Sequence, residues 1–111
     1  MRLQKIMDWE DLKAATRQKG KLFVLKNSTT CPVSREAMDE VQKYAESFVG
    51  GEPPVVYLNV QEARELSNQI EDAYGVKHQS PQLLLIEDQA VSWNASHWKI
   101  TQKACQQAFE R

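Results

Sequence analysis

Histidine occurs twice, cysteine twice and glycine four times in 111 residues. Each scarcity removes a class of answer. Two cysteines, Cys31 and Cys105, are too few for a disulfide framework and suggest a reducing compartment in which thiols stay free. With only His78 and His97 beside them and no close Cys/His cluster, a structural zinc site is not expected. The longest apolar runs are a few residues long, so nothing is expected to span a bilayer. The opening residues, "MRLQKIMDWEDL", have neither the apolar centre nor the small-residue cleavage site of an export signal, and a cytoplasmic location is the expectation. An excess of charge is missing as well. Lys and Arg number 14 against 15 Asp and Glu, a net −1, which offers no electrostatic reason to propose nucleic acid or an anionic membrane as partner.

What remains is an ordinary globular composition, 41% hydrophobic and 26% charged, which argues against disorder. A chain of this length buries roughly two-thirds of its unfolded surface, enough for a real core, and one domain over residues 1–111 is expected. No internal repeat or low-complexity tract is present. All four glycines and three of the four prolines (Pro53, Pro54, Pro81) fall between periodic segments, where they act as punctuation.

Arg2–Ile6 reads as a short edge strand. Asp8 offers an N-cap to a helix with Trp9, Leu12 and Thr16 at helical spacing and Gly20 as its stop. "LFVLKN", Leu22–Asn27, reads as a buried strand. Val33, Ala37, Met38, Val41, Tyr44, Ala45 and Phe48 then form an apolar helical stripe ending at Gly50-Gly51. Pro53-Pro54 leads into a second buried strand, Val55–Val60. Ala63, Leu66, Ile70 and Ala73 mark a helix closed by Gly75. "QLLLI", Gln82–Ile86, and "AVSW", Ala90–Trp93, joined by Glu87-Asp88-Gln89, look like an antiparallel hairpin. Ile100, Ala104, Ala108 and Phe109 mark a last helix. Strands separated by helices require parallel crossovers, and two strands joined tightly require an antiparallel pair. The expected fold is therefore α/β: a mixed central sheet with helices on both faces, a thioredoxin-like three-layer sandwich.

Within this order Cys31 stands where the first buried strand hands over to a long helix. Unpaired backbone N–H groups and the positive end of the helix dipole meet there, and both stabilise a thiolate. Pro32 suits the first turn, where a missing N–H has no helical partner. The bland reading of Cys31 is a small apolar residue packed under a loop. Ser34 holds the place of the second cysteine in a C-x-x-C pair. Its hydroxyl cannot form a disulfide, although it can donate a hydrogen bond to the thiolate one turn away. A Cys31 mixed disulfide would then wait for an outside thiol. Ser34 also reads as a first-turn serine satisfying its own backbone.

Ser80-Pro81 stands directly before the "QLLLI" strand. A cis bond is expected there, leaving the Ser80 backbone to pair with an extended ligand. Cys105 borders the apolar face of the last helix and reads as a buried, inert thiol, with a distant resolving thiol as the alternative. Trp93, His97 and Trp98 in "WNASHWKIT" read equally as a rim beside the thiol or as a capped helix start covering the sheet end. His78 reads as a loop residue, near enough to exchange a proton with Cys31. Lys26 and Arg64 could supply positive charge to an acidic thiol cofactor, but a solvated surface is the default expectation for each.

Four segments in order, "KNSTTCPVS", "VQEARELSN", "HQSPQ" and "ASHWKIT", resemble the YtxJ-type monothiol bacilliredoxins. The resemblance runs from the first buried strand to the last helix. It implies a thioredoxin-like fold and removal of bacillithiol from protein mixed disulfides in the cytosol of bacteria that use this thiol in place of glutathione. It also implies Cys31 as the attacking thiol, Ser34 at the second active-site position and Pro81 as the cis-proline beside them. Pro32 completes the C-P-V-S motif, and Thr30 and Ser80 are the candidate contacts for the exchanging thiol. Bacillithiol and bacillithiolated client proteins are the implied partners; no metal, flavin or nicotinamide motif is present, and no tightly bound cofactor is expected. Two alternatives stay open. A glutaredoxin-like iron–sulfur carrier uses a glycine-rich C-G-F-S loop, whereas "CPVS" puts Pro32 at that glycine. A thioredoxin-fold adaptor or redox sensor would be modified at Cys31 without turnover.

Overall fold

The chain alternates elements whose apolar periods differ, two for strands and 3.6 for helices, and each period finds its own layer. The computed structural model describes residues 3–111. Of the expected edge strand, Arg2 lies outside the described residues, and β1 is Gln4–Lys5. Asp8 caps α1 (Trp9–Gln18), accepting from the Asp11 N–H at 2.9 Å. Then follow β2 (Lys21–Asn27), α2 (Pro32–Ser47), β3 (Val55–Asn59), α3 (Arg64–Tyr74), β4 (Gln82–Glu87), β5 (Ala90–Ser96), a 3-10 turn at His97–Lys99, and α4 (Gln102–Glu110), which Thr101 caps.

The strands form one sheet in the order β1-β3-β2-β4-β5. β1, β3 and β2 run parallel, while β4 lies antiparallel to β2 and to β5. β2 is thus the central strand. Its alternation sends Phe23 and Leu25 to a core under α2 and α4, with Val41, Tyr44, Leu83 and Cys105. Leu22 and Val24 go to the other core, with Leu12, Leu58, Leu66 and Ile70 from the α1 and α3 side. The layers are those expected from the order of elements.

Beyond shifts of a residue or two at other strand ends, three features differ from expectation. α2 stops at Ser47, before the glycine pair, because Phe48 turns to extended backbone (φ −69°, ψ 132°). Gly50 and Gly51, both at φ 115°, then make a turn open to residues without a Cβ. β5 continues past Trp93 to Ser96, since Asn94, Ala95 and Ser96 stay in register with Leu84, Leu83 and Gln82. A register shift between Leu85 and Ile86 adjusts that pair to its short turn. The third difference is Lys26, which is not on the surface but 0% exposed. Period two places it with Leu22 and Val24 facing α3, and the strand's burial takes its side chain along.

Candidate thiol site

β2 ends at Asn27 and α2 begins at Pro32, so Ser28–Cys31 form the loop above the sheet's edge. Cys31 is the N-cap of α2 in extended conformation (φ −103°, ψ 123°), with Pro32 in the first turn. Its carbonyl accepts the Ser34 N–H at 3.1 Å and the Arg35 N–H at 3.3 Å. The thiol is partly exposed and lowered from its ordinary value of 9.0. The Ser34 backbone N–H does most of this; burial works against it, and the Val33 N–H and the Ser34 hydroxyl add to the lowering.

Ser34 is 0% exposed. Its Oγ accepts the Ser28 N–H at 3.2 Å, which ties the helix start back to the end of β2. The serine faces the thiol, and its backbone contact is with Ser28 across the loop rather than within its own turn.

A residue that sequence reasoning passed over holds the loop from outside. Gln61, just after β3, accepts the Thr29 N–H at 3.1 Å and donates to Ser28 Oγ at 2.8 Å and Thr30 Oγ1 at 3.3 Å. Thr30 N–H also donates to Ser28 Oγ at 3.4 Å. The only sequence signal for this clamp is that an amide can serve as donor and acceptor together. A cleft of about 600 Å³ opens beside the loop, lined by Asn27, Ser28, Thr30, Cys31, Pro32, Arg35 and Met38 among others.

The register of β2 with β4 pairs Lys26 with Gln82, so Pro81 enters the sheet beside Asn27. Ser80-Pro81 is cis, and Pro81 is buried. The Pro81 carbonyl accepts the His97 N–H at 3.1 Å. Ser80 Oγ is buried without a hydrogen-bond partner among the described residues. The chain order thus brings Cys31, Pro32, Ser34, Pro81, Ser80 and Thr30 to one edge of the sheet.

The tryptophan segment divides: Trp93 covers the sheet, and Trp98 with His97 lines a cleft whose walls do not include Cys31. Trp93 packs edge-on against Phe23, ring centroids 6.1 Å apart, and belongs to the core. Trp98 is 67% exposed, and with His97 and Val33 it lines a second cleft of about 350 Å³ along α2. His78 is more than a loop residue. Its Nδ1 lies 3.3 Å from Lys26 Nζ and 3.1 Å from Ser67 Oγ, and these are its hydrogen-bonding neighbours rather than Cys31. Cys105 is 0% exposed, and burial pushes its thiol up to about 12. Arg64 is exposed. Among the described residues no helix is long and apolar enough to cross a membrane.

The sequence model of the family described as monothiol bacilliredoxin BrxC matches residues 1–105. The chain belongs to the monothiol bacilliredoxin family. A solved structure assigned as an oxidoreductase with a thioredoxin fold superposes with a TM-score of 0.87 at 31% identity, covering 96% of this chain and 93% of that one. Chloroplastic thioredoxin z (TM-score 0.77, 19% identity, 99% and 93% covered) and mitochondrial thioredoxin 3 from Saccharomyces cerevisiae (0.75, 14%, 97% and 93%) share the fold. This bacilliredoxin-family chain is therefore a thioredoxin-fold protein with a thiol redox role.

Proposed function

We propose that the protein removes bacillithiol from mixed disulfides of client proteins, using Cys31 as the only working thiol. The observation that carries this reading is the pairing at the start of α2. A partly exposed thiol is held toward its thiolate by helix N–H groups, and a buried serine occupies the place from which a second cysteine would resolve it.

The chemistry takes two exchanges. The Cys31 thiolate attacks the bacillithiol sulfur of the client disulfide. The Cys31–bacillithiol bond forms, the client's S–S bond breaks, and the client cysteine leaves as a thiolate that takes a proton from water. A second bacillithiol thiolate then attacks its own kind on the Cys31 adduct, forming bacillithiol disulfide and returning the Cys31 thiolate. No net electrons stay on the chain, and a separate reductase recycles the disulfide. Ser34 stabilises the Cys31 thiolate as attacker and as leaving group. Pro32 starts the helix, and Pro81 with Ser80 is the proposed flank of the sulfur. Thr30 and Ser80 are the proposed contacts for the exchanging thiol in a cytoplasmic setting.

The test is turnover on a bacillithiolated protein, with intact-mass analysis of the chain after bacillithiol disulfide treatment. Turnover that vanishes in Cys31→Ser, with one adduct confined to Cys31 in the wild type, supports the scheme. An internal Cys31–Cys105 disulfide, or full activity in Cys31→Ser, sinks it. An adduct without turnover instead identifies a sensor.

A further inference from the structure

The strand that leads to Cys31 also carries a lysine into the opposite core. A buried ammonium is tolerated only where its protons are used. Lys26 Nζ donates to the Ser67 carbonyl at 3.0 Å and meets His78 Nδ1 at 3.3 Å. Ser67 Oγ lies 3.1 Å from the same nitrogen. An ammonium has no lone pair, so Nδ1 supplies one and the ring proton sits on Nε2. The His78 backbone N–H donates to Glu71 Oε1 at 2.9 Å. His78 is thereby tied to both β2 and α3, yet it belongs to neither. It lies in the segment 75–81 that connects α3 to β4 and ends in Ser80-Pro81. The same segment is tied to β4 by the Gln82 side chain, which donates to the Lys77 carbonyl at 2.9 Å.

We propose that Lys26 and His78 form a latch that holds the segment 75–81, and with it the Ser80-Pro81 border of the thiol site, where a client disulfide must lie, and that protonation of His78 opens it. This rests on the reading of Cys31 as the attacking thiol. His78 is a positioning residue. Once Nδ1 takes a proton it has no lone pair for either donor, and two cations face each other across 3.3 Å. Among the described residues, the other charges that act on the pair are both on α3. Glu71 favours the protonated form of each, and Arg64 opposes protonation of His78. Burial comes first and Lys26 second in holding the imidazole below its ordinary value, so the latch is closed at neutral pH and opens on the acid side.

Two rates on the same protein separate the latch from the sulfur. Alkylation of Cys31 by iodoacetamide needs only the thiolate. Release of bacillithiol from a bacillithiolated peptide needs the flanking segment as well. The ratio of release to alkylation should hold steady around neutrality and drop several-fold as the pH falls below the ordinary histidine range. In His78→Phe the ratio should be low and flat across that range. As a readout independent of turnover, nitrogen NMR should find the His78 proton on Nε2, and Lys26→Met should raise the pH at which His78 titrates. Release that is present near pH 8 with a flat ratio overturns the latch alone. An unmoved His78 titration in Lys26→Met, or a proton on Nδ1 at neutral pH, also overturns it. Release absent at every pH while alkylation stays normal overturns the exchange reading, and the latch with it.

Discussion

Ser34 Oγ accepts from the Ser28 backbone with one lone pair while its own proton is available to the Cys31 sulfur. Removing the hydroxyl leaves the helix N–H groups in place, so only part of the thiolate stabilisation is lost. Ser34→Ala should shift the pH profile of Cys31 alkylation toward alkaline values and slow alkylation at neutral pH by several-fold, as stopped-flow iodoacetamide kinetics would record. An unshifted profile would mean that the serine only fastens the loop. Ser34→Cys should give a chain that oxidises internally, with a mass loss of two hydrogens. At this scale Cys31, Ser34 and Pro81 are readable from residue type and position. Lys26 and Gln61 are not. A lysine in a short apolar run looks like the end of the run, and only its register opposite Gln82 and its reach to Ser67 show why it can be buried. Gln61 acts through three contacts to a loop roughly 30 residues earlier in the chain, and no local pattern marks it.

Among the elements, β2 and α2 are joined by aromatic packing as well as by the thiol loop. Phe23 meets Tyr44 of α2 edge-on at 5.4 Å, Trp93 of β5 at 6.1 Å and Phe109 of α4 at 6.1 Å. One ring thus touches a helix, a strand and the last helix. Phe23→Ala should cost about 3–5 kcal/mol, measured as a lowered urea midpoint at unchanged slope. A loss below about 1 kcal/mol would show that the cluster closes over the cavity. The order of strands and helices follows from apolar spacing because each element buries one clear face. The end of β5 and the turn after it do not follow so simply. "WNASHW" mixes inward and outward residues, and the chain leaves the strand through His97 at φ 54°, a backbone angle that spacing does not reveal.

For the molecule as a whole, buried titratable groups act on stability in opposite directions with pH. Burial raises Cys105 from 9.0 to about 12 and Tyr44 from 10.0 to about 12. Above their ordinary values the unfolded chain sheds protons that the folded chain keeps. This stability is complete below those values and is lost as pH rises toward 12. Lys26 behaves in reverse. Burial lowers it from 10.5 to about 8, so over that window the unfolded chain holds a proton that the folded chain has released, and stability rises with pH. Lys26→Met also loses the Ser67 and His78 contacts, but between pH 8 and 10.5 it changes the pH dependence by removing this titration. The Tm of wild type minus that of the variant should therefore grow between pH 8 and 10.5, as paired thermal melts would reveal. A constant difference would mean that Lys26 titrates alike in both states.

The serine at the second position finally bears on time rather than on structure. With a hydroxyl at Ser34 and Cys105 sealed at 0% exposure, a disulfide on Cys31 has no neighbour to break it. Its release is a bimolecular event whose half-life varies inversely with the concentration of thiol outside. On the proposed exchange scheme, the fraction of chains carrying an adduct would gauge the surrounding supply of reduced thiol, set by a ratio of concentrations rather than by any internal clock.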